Sequence, residues 1–406
     1  MLSFAVLCVA YALSQFYRSF LAVIASRLTQ ELGFGPAELG ALSAVFFATF
    51  AVAQFPVGWS LDTFGARRTI AGAMLGAIIG GLLFAAATSF AVMMIAMALI
   101  GVGCAPVLMG SLYVFGRGYP PERFAMLSSM VLGVGALGNL IAAAPMAYAV
   151  ELFGWRASMA AIGALTVVST ALIYFVLRDP HAPAGPTPAG PSPLAALRTI
   201  LSIRPLWCLV PLTFVGYSVV AAERSLWIGP YLGDVHGLDP IARGNGIFAM
   251  ALAMSLGAFA YGPLERILGG AKPTVLIGSV LTGASFLLLA VVSVSALEAV
   301  VLLSAVGGFG LTYGLLMAHA RQFFPDHLLG RGVTLLNFIF ISGAGIIQAL
   351  SGLFMEAATN RPAAEGFAQL HLSFGALVLA ATAIYAFTPA RPLLTPVSPQ
   401  LLRARP

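Results

Sequence analysis

The stretch GWSLDTFGARR at 58–68 places two glycines, a carboxylate and a basic pair between two long apolar runs. A second version of it follows 204 residues later. With that shift Gly33, Pro36, Gly40, Gly58 and Gly65 fall on Gly237, Pro240, Gly244, Gly262 and Gly269 without a gap, and Arg68 falls on Lys272. The chain therefore reads as two copies of one unit. In an apolar chain, paired halves are the sequence trace of a transporter whose substrate site lies where the halves meet.

Composition decides the solvent. Hydrophobic residues make up 60% of the chain and charged ones 8%, against roughly 25% charged in soluble domains. No aqueous fold could cover that much apolar surface, so the chain belongs in a lipid bilayer. The net charge of +6 is spread as short basic clusters between apolar spans, which argues against a nucleic-acid partner. Cys8, Cys104 and Cys208 each stand alone inside an apolar span, so neither a zinc spacing nor a disulfide framework is expected. The scattered histidines and cysteines supply no clustered catalytic set or metal ligands, and the reading is of a non-enzyme without cofactor or metal.

The expected fold is an all-α membrane protein of twelve spans in two pseudosymmetric six-helix bundles. Apolar segments of about 18 to 26 residues, the length that crosses the hydrocarbon core, lie near 3–28, 37–60, 69–88, 91–115, 126–150, 157–177, 206–232, 244–264, 273–293, 298–320, 332–355 and 371–388. The first run lacks the charged n-region and cleavage site of a signal peptide and is expected to be the first helix. The Pro-rich stretch between spans six and seven cannot build a core, which gives an N-terminal bundle at 1–178, a linker at 179–205, a C-terminal bundle at 206–390 and a tail at 391–406. Placing the N-terminus inside puts 14 of the 20 basic residues on one side and only Arg27, Arg156, Arg243 and Arg361 on the other. Both termini, the linker and the tail are therefore expected in the cytoplasm of a cell with an inner membrane, and the chain is expected to work as a monomer.

The 58–68 loop has its own chemistry. Gly58 and Gly65 permit close helix approach and a tight turn. Asp62 can cap a neighbouring helix N-terminus or pair with Arg67 or Arg68, contacts that can form in one conformation and break in another. The competing reading is that the basic pair only anchors the loop at anionic headgroups. Gly58, Asp62, Gly65, Arg67 and Arg68, taken with the twelve-span layout, resemble the signature loop of the major facilitator superfamily, although position 63 is Thr where that family usually carries a basic residue. The resemblance implies two bundles that rock about a central cavity, with this loop as a conformational latch.

Two arginines inside spans are the sharpest functional signal, because a charge near the bilayer centre costs from about 2.5 to 17 kcal/mol unless it is paired or hydrated. Arg18 shares a helix face with Tyr11 and Gln15, and Arg224 on the seventh span shares a stripe with Tyr217 and Tyr231. Facing guanidiniums from the two halves would clamp a carboxylate or phosphate through their planar forks of donors. This arrangement resembles the branch of the superfamily that moves organic anions and phosphate esters, which implies a substrate-binding role for Arg18 and Arg224. Asn139, in the small-residue run of the fifth span, is added to the same cavity. The competing readings are snorkelling for Arg18 and a local ion pair with Glu223 for Arg224, although consecutive helical residues point about 100° apart.

Glu223 is the one carboxylate well inside a span. A desolvated carboxyl favours its protonated form and can load and release a proton, so Glu223 is the leading candidate for coupling transport to protons, with His319 second. A drug and proton antiporter is the main rival, but its fourth-span arginine position is occupied here by Met97 and its fifth-span Gly-Pro pair is absent. The expectation is a secondary transporter of a small organic anion, driven by protons or by exchange for a counter-anion.

Overall fold

In the computed structural model, residues 2–119, 121–179, 193–325 and 328–390 are described; the Pro-rich linker at 180–192 and the tail at 391–406 lie outside them. Among the described residues all regular structure is helical. The first half comprises α1 (Leu2–Phe16), α2 (Leu21–Leu32), α3 (Pro36–Ala86), α4 (Phe90–Gly118), α5 (Pro121–Ile141) and α6 (Ala144–Val176). After a short α7 (Pro193–Leu201), α8 (Arg204–Ala222) continues through a π-helical turn at Glu223–Trp227, a single α-turn α9 (Ile228–Pro230) and a second π-helical turn at Tyr231–Val235. Then come α10 (Pro240–Ile267), α11 (Ala271–Val291), α12 (Ala296–Gly310), α13 (Tyr313–Arg321), α14 (Leu329–Ala357) and α15 (Ala363–Ala386).

Among the described residues nine helical stretches are long and apolar enough to cross a bilayer, or ten with α1 and α2 counted as one span bent by 43°. Two of the nine, Pro36–Ala86 and Met126–Val176, which joins α5 to α6, are 51 residues long, more than twice the length a bilayer requires. Both are folded back on themselves. On α4, Gly101 sits against the Phe46 carbonyl while Gly103, half a turn on, sits against Ala77; a straight α3 would hold residues 46 and 77 about 46 Å apart. The fold-back is at Gly65, whose backbone (φ 81°, ψ 169°) is open to glycine alone. In the same way Gly138 packs on the Ala12 backbone and Thr166 meets the Tyr17 hydroxyl, so the chain reverses between them, at Gly154 (φ 79°, ψ 158°). With these two divided, the layout is consistent with the twelve spans read from the sequence.

The internal repeat has a structural counterpart. Gly33 and Gly237 end helical segments at φ 72° and 65°, and Gly65 and Gly269 both turn the chain, at φ 81° and 79°. Pro36 and Pro240 both open helices near the first position, where a missing N–H costs nothing. Gly40 packs on the Gln348–Gly352 backbone of the other half, and its repeat mate Gly244 packs on Ala147. Such contacts matter because lipid gives helices no hydrophobic reason to associate; close approach of small residues supplies the attraction. These crossings, together with Gly229 against the Ala22 carbonyl and Arg243 Nη1 donating to Ser26 Oγ at 2.8 Å, seal the halves together at the end of the molecule opposite residues 2 and 390.

The expectation of close approach at Gly58 fails. A Cβ there, as at its repeat mate Gly262, would meet open space, whereas one on Gly65 would collide with the Asp179 carboxylate. Gly65→Ala is therefore expected to cost about 1–3 kcal/mol and to lower the thermal unfolding midpoint of the purified protein, while Gly58→Ala leaves it unchanged. Equal midpoints for the two variants would contradict this assignment of the turn.

Candidate functional site

Both intramembrane arginines sit where a helix is irregular. Arg18 lies in the break at residues 17–20 between α1 and α2, and Arg224 lies in the first π-helical turn. Interrupted helices free the backbone and redirect side chains, and π-helical turns recur at functional sites for that reason. Arg224 is 2% exposed, and its Nη1 donates to Asn139 Oδ1 of α5 at 2.8 Å, across the boundary between the halves. The same oxygen lies 3.1 Å from the Ser19 hydroxyl of the α1–α2 break. Arg18 is half-buried, with its guanidinium carbon 4.4 Å from the centre of the Phe50 ring, an attraction between a cation and a π face.

The two arginines are within electrostatic reach of one another, and Arg224 is within reach of Tyr217. Tyr11 is within reach of both Arg18 and Tyr217. Five of the residues singled out in the sequence thus converge on one seam: Arg18, Arg224, Tyr11, Tyr217 and Asn139. Gln15 is one turn from Arg18 and half-buried, its carbonyl accepting from the Ser19 hydroxyl at 3.0 Å. Tyr217 stacks on Phe340, with centroids 4.6 Å apart, and Phe340 in turn stacks on Tyr313, giving the seam an aromatic wall on the second half. Among the described residues neither guanidinium pairs with a carboxylate, and Nε of each is buried without a hydrogen-bond partner.

Tyr231 does not share this seam. Its ring lies 4.8 Å from His371 and 5.3 Å from Phe367, on the Glu223 side of the span. A spacing of seven keeps two residues on one face of an α-helix, but the intervening π-helical residues shift the register and carry Tyr231 off the Arg224 stripe. Glu223 likewise turns away from Arg224. It is fully buried, with Oε2 3.4 Å from Nε2 of an equally buried His371 on α15. His319, in contrast, uses both ring nitrogens locally, 2.7 Å from the Tyr385 hydroxyl and 3.0 Å from the Pro389 carbonyl oxygen.

The 58–68 loop is wired differently from the expectation. Asp62 is exposed and pairs with Arg117 of α4 at 3.3 Å, neither capping a helix nor meeting Arg67 or Arg68. The capping carboxylate is Asp179, which follows the sixth span and accepts from the Arg67 N–H at 2.8 Å. Arg67 Cζ lies 5.5 Å from the Tyr174 ring centre, and Arg68 is exposed. Sequence reading missed Asp179 and His371. The signal for both was present, since an acidic residue at a span end and a histidine inside a span are each unusual in so apolar a chain.

Two bundles of interrupted helices with polar groups gathered at their seam define a multi-pass membrane transporter. The sequence profile of the Major Facilitator Superfamily matches residues 7–349, and the chain belongs to that family. It is 28% identical over 248 residues to a probable L-galactonate transporter of Escherichia coli (strain K12), covering 55% of this chain and 52% of that protein. It is 22% identical over 174 residues to a probable sulfoacetate transporter of Cupriavidus necator, covering 43% and 40%. The matched segments thus span about half the length of these relatives or less. In fold it is similar to a bacterial homologue of the human lysosomal transporter Spinster in an inward-facing, unoccupied conformation, with TM-score 0.76, 18% identity and 94% and 95% of the two chains covered. It is also similar to a D-xylose–proton symporter, with TM-score 0.77, 13% identity and 95% and 97% covered.

The Arg224–Asn139 bond is testable by itself. Asn139→Ala leaves a buried cation short of an acceptor, expected to cost about 1.5–3 kcal/mol and to lower the thermal unfolding midpoint. An unchanged midpoint would mean that this bond is not held in the populated state.

Proposed function

We propose that this transporter moves a small organic anion, a carboxylate or phosphate ester, across the inner membrane by alternating access, with the anionic group held between Arg18 and Arg224. The observation that carries the reading is two mutually repelling guanidiniums brought into one low-dielectric seam with no carboxylate among the described residues to neutralise either. Burying an unpaired cation is costly, and a bound anion removes that cost while meeting both forks of donors. Tyr11, Gln15, Tyr217 and Asn139 complete the polar lining. The cargoes in the names of the two relatives, L-galactonate and sulfoacetate, are both small organic anions, which supports the same class.

Both termini are cytoplasmic in this reading and the chain acts as a monomer, so the sealed end is the outer face. The bundle boundaries follow the repeat, with the linker at 179–205 joining 1–178 to 206–390. The loop from Gly65 to Arg68, capped by Asp179, and the Asp62–Arg117 contact serve as the latch that differs between inward and outward states. Glu223 couples the cycle to protons.

In proteoliposomes, Arg18→Ala and Arg224→Ala are expected to reduce uptake of L-galactonate or sulfoacetate at least about 30-fold, the equivalent of about 2 kcal/mol for loss of one buried charged partner. Full uptake by either variant would overturn the clamp, and thermal stabilisation of the protein by cationic drugs in place of organic anions would favour an exporter. Glu223→Gln is expected to exchange substrate across the membrane yet fail to accumulate it against a gradient. Undiminished accumulation would remove Glu223 from the coupling.

A further inference from the structure

Among the described residues, Glu223 and His371 form a fully buried ionisable pair. Both side chains are 0% exposed, 3.4 Å apart, and neither carboxylate oxygen nor either ring nitrogen has a hydrogen-bond partner among the described residues. Phe286 from α11 lies 6.0 Å from the imidazole, and from α15 itself Phe367 lies 6.3 Å away. Tyr231 is the titratable group beside the pair, 4.8 Å from the imidazole, with His236 beyond it at 5.0 Å. From α14 the first π-helical turn receives neutral Gln348, bonded to Ser225 at 3.2 Å. The Arg224 guanidinium leaves the same turn in another direction, toward Asn139.

A carboxylate and an imidazole in this apolar box are electrically neutral as a unit when they hold one proton. Without it they leave a bare negative charge that no hydrogen bond stabilises. Arg224 follows Glu223 directly in the chain, and its positive field favours the proton-free state. An anion bound between the arginines cancels that field, and the pair then gains by taking a proton from the water. We propose that Glu223 and His371 share one proton as a unit, and that filling the arginine site with an anion loads it. The proposal rests on the anion-binding reading of Arg18 and Arg224. The proton is drawn from solvent onto the Glu223 Oε2–His371 Nε2 contact, and the anion and proton enter together, so a monoanion such as L-galactonate adds no net charge to the loaded carrier. Linkage is reciprocal: if the anion promotes protonation, protonation tightens the anion.

Two readouts separate this inference from the reading beneath it. The first uses no ligand. The His371 ring nitrogens, identified in nitrogen-15 spectra of the detergent-solubilised protein by their loss in His371→Gln, are followed from pH 5 to 9. The shared proton predicts that Glu223→Gln changes the His371 titration; an identical titration in the wild type and that variant overturns it. The second adds L-galactonate or sulfoacetate to weakly buffered protein containing a pH indicator. Uptake approaching one proton per bound anion is expected, with the dissociation constant rising up to tenfold per pH unit through the range where the proton is lost. Glu223→Gln and His371→Gln are expected to bind the anion without proton uptake. Binding to wild type with no uptake refutes the loading step and leaves the anion reading standing. Binding of neither probe counts against the anion reading, and the histidine titration still decides whether the pair shares a proton. If both variants fail to fold, the wild-type uptake measurement decides alone.

Discussion

Two positive charges confined to one seam between two helical bundles, with no carboxylate partner among the described residues, constrain everything else in this molecule. In water such a pair would repel weakly, but inside a bilayer-embedded protein the low dielectric magnifies the repulsion several-fold. A soluble protein would answer with an acidic residue. Here the first half answers with the neutral amide of Asn139 and the ring of Phe50, which ease the charges without cancelling them. Charge that is eased but not cancelled is what an anion-binding site requires, because an internal ion pair would compete with the cargo.

The fold delivers the arginines by interrupting the same helix in each half. The α1–α2 break and the π-helical turn after α8 occupy corresponding spans of the two repeats, so the pseudosymmetry that pairs Gly33 with Gly237 and Gly65 with Gly269 also brings Arg18 opposite Arg224. Around them the opposite end is closed by backbone-to-backbone crossings at Gly40 and Gly352 and by Ala147 against Gly244. Glycine and alanine crossings are flat and carry little directional bonding, so they can part and re-form in the proposed alternating-access cycle. Polar contacts added to them among the described residues include Arg243 with Ser26, Gln348 with Ser43 and the Ala37 N–H with Glu356.

Much of this could be read from the chain. The 204-residue repeat, the apolar spans and the rarity of charge inside them led to the fold and to Arg18 and Arg224, because lipid penalises misplaced charge and polar backbone so heavily that sequence has little freedom. What could not be read were features set by helix phase or by contacts between distant spans. A spacing of seven put Tyr231 beside Arg224 only for an uninterrupted α-helix, and no local pattern announces that the helix turns π-helical at Glu223. Asp62 was the nearest carboxylate in sequence to the Arg67–Arg68 pair, yet Asp179, 112 residues from Arg67, supplies the cap. His319 and His371 look alike as lone histidines in apolar spans. Only the packing of α15 against α8 distinguishes a ring with both nitrogens satisfied from one facing a buried carboxylate.

The most direct measurement is an experimental structure of the protein with sulfoacetate or L-galactonate bound. The anionic group is expected between the two halves, with oxygens within hydrogen-bond distance of both the Arg18 and Arg224 guanidiniums. Ligand density elsewhere, or touching neither guanidinium, would contradict it.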